Sequence, residues 1–138
     1  MLTSKQCLEK CGDPRLELEM QLWRVPAELQ IGKIPRRVYC NRRMIAPLEK
    51  ALREIVEQDL AGLIESWDGC FSLRKKRGGD SWSLHAFGLA IDVNAETNRM
   101  GQTPTMDSRI VEIFENAGFS WGGRWAVPDG MHFQLAEL

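Results

Sequence analysis

The chain holds only 2 histidines in 138 residues, and both fall in segments whose residue types suit chemistry. The first segment runs Ser81-Trp82-Ser83-Leu84-His85-Ala86-Phe87-Gly88-Leu89-Ala90-Ile91-Asp92-Val93-Asn94. The second runs Trp121-Gly122-Gly123-Arg124-Trp125-Ala126-Val127-Pro128-Asp129-Gly130-Met131-His132-Phe133. Side chains alternate faces along a strand. If residues 89–94 are extended, Leu89, Ile91 and Val93 point to a core, and Ala90, Asp92 and Asn94 point the other way. In Met131–Leu135 the apolar face is Met131, Phe133 and Leu135, while His132 and Gln134 share the opposite one. Laid side by side, these strands bring Asp92 and His132 together. His85 lies an odd number of residues before Asp92, so it must arrive from the loop before the strand, with Gly88 supplying the bend. Two imidazoles and one carboxylate leave one position of a tetrahedral zinc open, the composition of a catalytic and not of a closed structural site. Asp129 then has a task. Gly130 allows a turn that returns its carboxylate to the metal side, where it can accept a proton from water and pass it to a leaving amine. Either histidine–aspartate pair alone is more often a surface pair or a satisfied core group. The joint placement of both histidines is what points to a metal.

These groups need elements to hold them. Leu89–Asn94 and Met131–Leu135 are expected strands. Met44, Leu48, Leu52, Ile55 and Val56 recur at helical steps, which predicts a helix over residues 43–58, starting at Ala46 if Pro47 is to sit in the first turn. A second helix is expected over 108–117, with Asp107 as N-cap and Gly118 just past its end. A short helix over 4–11 would be capped by Ser4. Leu60–Ser66 and Cys70–Leu73 flank Trp67-Asp68-Gly69, a hairpin signal. Residues 14–35 contain three of the six prolines and are expected to wrap the body as irregular structure. Helices and strands mix without βαβ alternation, so the fold class is α+β, a small antiparallel sheet with flanking helices in a single domain over 1–138.

Taken together, Ser83-x-His85-x-x-Gly88-x-Ala90-x-Asp92 followed by Asp129-x-x-His132-Phe133 resembles the signature of the zinc D-alanyl-D-alanine peptidase family. That family includes D-Ala-D-Ala carboxypeptidases and dipeptidases and the phage L-alanyl-D-glutamate endolysins. The resemblance covers about residues 65–135, and the first forty residues match nothing in it. It implies the D-Ala-D-Ala metallopeptidase (hedgehog-like) fold, with a single zinc on the sheet held by His85, Asp92 and His132. It also implies Asp129 as catalytic acid and base, Arg74 as the group that stabilises the oxyanion, and Ser83 as a substrate contact. An aspartate at 129 is closer to the endolysin branch, since many other members carry glutamate there. Met131 stands where many members have Trp or Pro, a departure that touches the substrate pocket and not the metal. The implied function is a zinc metallopeptidase acting on peptidoglycan stem peptides as endopeptidase or carboxypeptidase. A non-catalytic zinc-binding module of the same fold is the alternative, and retention of Asp129 weighs against it.

Composition agrees with such a chain and excludes others. There are 18 basic and 19 acidic residues, a formal net charge of −1, so no wide basic field points to nucleic acid or an anionic membrane. The run Arg74-Lys75-Lys76-Arg77, followed by Gly78-Gly79, reads as a solvated loop, with Arg77 a second candidate for the active-site arginine. No apolar run has the ~18 residues of a membrane span, and Met1–Pro14 has no signal-peptide pattern. Synthesis in the cytoplasm and a monomeric state are expected, and the resemblance implies action at the cell wall. The four cysteines, Cys7, Cys11, Cys40 and Cys70, fit no ligand spacing and read as reduced thiols, some packed as small hydrophobes. Trp121 and Trp125 flank Gly122-Gly123 and either wall a substrate cleft or pack the core. Asn94 lies near the site or simply ends its strand.

Overall fold

The computed structural model describes residues 1–138. The strongest helical spacing forms a helix over Arg42–Glu57 that buries Met44, Leu48, Ala51, Leu52 and Ile55 along one stripe. In chain order the elements are α1 (Ser4–Cys11), β1 (Met20–Arg24), β2 (Arg37–Asn41), α2 (Arg42–Glu57), β3 (Trp67–Gly69), β4 (Ala90–Val93), α3 (Ser108–Asn116), β5 (Phe119–Trp121) and β6 (His132–Leu135). The class is α+β, as the sequence predicts. A two-stranded sheet pairs β1 with β2, and a four-stranded antiparallel sheet runs β3-β4-β6-β5.

Several local expectations are corrected. The cap of α1 is Thr3 and not Ser4: the Thr3 hydroxyl accepts from the Gln6 amide at 3.2 Å, while Gln6 Oε1 accepts from the Thr3 amide at 2.8 Å. This reciprocal capping box satisfies two donors that Ser4, buried as the first helical residue, does not reach. α2 starts at Arg42, four residues before Ala46, because Asn41 Oδ1 caps the Arg43 amide at 2.9 Å. Pro47 therefore lies inside the helix and forfeits one intrahelical hydrogen bond. The continuous buried stripe on either side carries the helix through it.

Residues 14–35 are not wholly irregular. They contain β1, paired with β2 from Met20↔Asn41 to Arg24↔Arg37, and two single-turn helices at Pro14–Leu16 and Ala27–Leu29. The prolines punctuate this stretch without breaking the strand between them. Trp67-Asp68-Gly69 is no hairpin turn: it is β3 itself, with a register shift between Trp67 and Gly69. Gly69, at φ +130°, marks a bulge where a tight turn was expected. Asp107 caps α3 as anticipated, its Oδ1 accepting from the Arg109 amide at 2.9 Å.

One face of the four-stranded sheet packs on the helices. Phe114 of α3 stacks on Phe133 of β6 with centroids 4.4 Å apart and meets Phe119 of β5 edge-on at 5.4 Å. Ile91, Val93 and Leu135 complete this face, and each fully buried side chain of this size contributes ~1.5–3 kcal/mol. The opposite face carries Ala90, Asp92, His132 and Gln134, and α1 packs nearby against the turn Leu84–Phe87. No helix is long and apolar enough to cross a membrane.

Candidate metal centre

The register of β4 against β6 sets Ala90 opposite Gln134, Ile91 opposite Phe133 and Asp92 opposite His132. The cross-strand meeting of Asp92 and His132 follows from antiparallel pairing at that register. His85 arrives from the 3₁₀ turn Leu84–Phe87, which the Ser83 hydroxyl caps by accepting from the His85 amide at 3.3 Å. Gly88 ends the turn at φ +66°. A Cβ there would come within 2.6 Å of the Asn41 amide nitrogen, so only glycine lets this turn seat against the start of α2. The Asn41 amide in turn donates to the Gly88 carbonyl at 3.0 Å.

His85 Nε2 lies 3.2 Å from Asp92 Oδ2, and His132 Nδ1 lies 3.5 Å from Asp92 Oδ1. The ligand atoms that these residues offer all lie within 4.8 Å of one another. The two imidazoles sit edge to face, centroids 5.0 Å apart.

The outer hydrogen bonds determine what the inner atoms are. His85 Nδ1 is 2.7 Å from the Cys70 carbonyl, which only accepts, so Nδ1 carries the proton in the neutral ring and Nε2 turns a lone pair toward Asp92. His132 Nε2 is 2.9 Å from Gln134 Oε1, which leaves Nδ1 as the lone pair facing Asp92. Lone pairs of two imidazoles thus converge on carboxylate oxygens. Buried His85 Nε2 and Asp92 Oδ1 have no hydrogen-bond partner. A metal cation held between them would reconcile acceptors aimed at one another, and two imidazole nitrogens plus a carboxylate suit zinc with an open position.

Asp129 lies in the turn that leads into β6. Its amide donates to the Gly122 carbonyl at 2.9 Å, and its own carbonyl accepts from the His132 amide at 3.1 Å. Gly122 is tightly enclosed: a Cβ would meet the Asp129 carbonyl oxygen at 2.6 Å and His132 Cβ at 3.2 Å. The Asp129 carboxyl is half-buried, and its Oδ1 has no partner. Burial raises its pKa, His132 pulls it down, the Asp92 charge raises it further, and His85 and Arg74 pull against that; the balance is upward. The backbone hydrogen bond from His132 to Asp129 ties this turn to one of the candidate ligands.

Arg74 is exposed, and its charge acts on Asp129. Its carbonyl accepts from the Ser83 amide at 3.0 Å, which ties the basic loop to the turn carrying His85. Lys75 lies 3.9 Å over the Trp82 ring, and Arg77 is exposed further along the loop. The two tryptophans divide. Trp121 packs on Phe133 and donates its indole N–H to the Gly130 carbonyl at 2.8 Å, whereas Trp125 lies against the His132 ring at 5.2 Å. Asn94 ends its strand: it accepts from the Glu65 and Ser66 amides and donates to the Leu63 carbonyl. The four cysteines are free and buried. A groove of about 300 Å³ lies elsewhere, between α2 and α3, and is lined mostly by charged and amide side chains, Lys50, Glu54, Arg109 and Glu112 among them. It holds none of the candidate site residues.

Sequence reasoning placed Gln134 on the face of His132 but gave it no part. Its position two residues from a candidate ligand, on the same face of a strand, was the available signal. The carbonyls of Cys70 and Leu2, which complete the surroundings, left none.

Residues 77–135 match the family of D-alanyl-D-alanine carboxypeptidases, which bears out the resemblance carried by the two motifs. The matched stretch includes Ser83, His85, Asp92, Asp129 and His132, while Arg74 lies just before it. No curated protein and no solved structure matches the chain.

Proposed function

We propose that this chain, matched to D-alanyl-D-alanine carboxypeptidases across the strands of its centre, is a zinc peptidase that hydrolyses peptidoglycan stem peptides. The observation that carries the reading is the set of imidazole and carboxylate lone pairs converging on one point, with an unpartnered carboxyl beside it. His85 Nε2, Asp92 and His132 Nδ1 would hold the ion. Bound zinc supplies Lewis acidity, which polarises a carbonyl and makes water a stronger nucleophile near neutral pH. Asp129 takes the proton of the attacking water and delivers it to the departing amine, so one peptide bond and one water become a carboxylic acid and an amine. Its raised pKa suits both halves of that exchange. The Arg74 guanidinium stabilises the negative charge that develops on the carbonyl oxygen. Ser83 and Trp125 border the substrate, Ser83 while also capping the turn of His85. A module that merely held zinc would have no use for the orphaned Asp129 oxygen. The enzyme acts as a monomer at the cell wall.

The bond is either the terminal D-Ala-D-Ala link or the L-alanyl-D-glutamate link cut by endolysins. Purified protein is expected to contain one zinc, to cleave muropeptides, and to lose both properties on His132→Ala. Metal-free protein, or full activity in that variant, sinks the reading. Mass spectrometry of the products settles the bond: free D-Ala marks a carboxypeptidase, and a new terminus after L-Ala an endopeptidase.

A further inference from the structure

Gln134 is 3% exposed and touches His132 on one side and the amino-terminal segment on the other. Its Nε2 donates to the Leu2 carbonyl at 3.4 Å, and its Oε1 faces His132 Nε2 at 2.9 Å. The amide can be oriented in only one sense. Reversed, Oε1 would face the Leu2 carbonyl oxygen, acceptor against acceptor. With Nε2 committed to Leu2, Oε1 must accept, and His132 must donate from its own Nε2. We infer that Gln134 is a positioning residue that locks His132 in the Nε2-protonated tautomer and so keeps Nδ1 free for the ion, with the Leu2 carbonyl as its anchor.

The anchor is itself held. Leu2 is buried, and the Thr3–Gln6 capping box defines where the chain enters α1. The amino-terminal segment, which has no counterpart in the motifs, thereby supports a candidate ligand 130 residues later. An outer partner of this kind typically changes metal affinity about 10–100-fold. The inference rests on reading the centre as a metal site, but its core, the tautomer, is measurable without metal.

The test compares the full-length wild-type chain with Gln134→Leu and Gln134→Glu. Imidazole nitrogen NMR of metal-free protein at alkaline pH reads the tautomer, and titration of zinc against a chromophoric chelator reads affinity. The wild type is expected to carry the His132 proton on Nε2. Gln134→Leu is expected to lose that preference and to bind zinc about 10–100-fold more weakly. Gln134→Glu, which still accepts from His132 but no longer donates to Leu2, is expected to keep the tautomer and to lose part of the affinity. A wild-type His132 protonated on Nδ1 overturns the inference, even if neither variant folds. So does a Gln134→Leu protein with the wild-type tautomer and affinity. A locked tautomer in a wild type that takes up no zinc upholds the role of Gln134 and removes the proposed function instead.

Discussion

His85 and His132 present opposite ring nitrogens to Asp92, Nε2 from one and Nδ1 from the other. The choice lies with the partner on the far side of each ring, the Cys70 carbonyl and the Gln134 amide oxygen. On the proposed reading both imidazoles hold the ion, so no histidine is left for proton transfer and that duty is assigned to Asp129. Asp129→Asn should therefore lower kcat by about 10²–10⁴-fold while the zinc content of the protein stays unchanged; activity assays with parallel metal analysis check both halves. The thiols make a contrast. Burial, with the neighbouring Cys11 adding to it, pushes the Cys7 thiol up to about 12, and burial does the same to Cys40. Burial also raises Cys70 and Cys11. Since the thiolate is the reactive form, iodoacetamide at neutral pH is expected to leave all four untouched in the folded chain and to label all four in denaturant, as read by intact mass.

At the scale of elements, the site depends on a turn, a strand pair and one glycine between them. Alternation along β4 and β6 was legible because a pleated strand has period two and both segments are short and regular. The 3₁₀ turn of His85 was legible only as a loop, since its form depends on the Ser83 cap and on contact with Asn41. Gly88→Ala combines a left-handed backbone with a contact at 2.6 Å to the Asn41 nitrogen. It should destabilise the fold by about 2 kcal/mol or more and weaken zinc binding as the turn shifts, measurable by denaturant unfolding and chelator competition. β1, β2, β3 and β5 escaped the sequence reading. They are three to five residues long, and β1 and β3 are largely exposed, so pairing holds them and hydrophobic pattern does not.

Across the whole molecule, residues 1–41 are joined to the body by polar contacts as well as by core packing. Glu19, 12% exposed at its side chain, accepts from Arg43 Nε at 2.9 Å and from Arg42 Nη2 at 3.1 Å, and its carbonyl accepts from the Arg42 amide. The hydrogen bonds from Arg43 come first, and with the Arg42 and Arg43 charges they hold the Glu19 carboxyl at about 2. A carboxyl depressed in the folded state stabilises it above the ordinary carboxylate pKa and loses that contribution as pH falls from there toward about 2. Solvent around Arg42, 62% exposed, screens part of the effect. Glu19→Gln should thus cost about 2 kcal/mol at neutral pH and much less at roughly pH 3, a narrowing to be read from urea midpoints of the two proteins.

The α+β class, the helices α2 and α3, and the faces on which Asp92 and His132 lie along their strands are all legible in the residues, because each follows from local periodicity. The sequence also confined the chemistry to two segments by holding only 2 histidines. Packing alone sets which nitrogen of each ring faces inward, that Trp125 and not Trp121 borders the centre, and that the amino-terminal segment supports it. Those outcomes rest on partners far apart in the chain, the Cys70 carbonyl for His85 and the Leu2 carbonyl behind Gln134. A backbone carbonyl has no side-chain identity, so nothing in a residue's letter announces that it will be the one to orient a distant ring.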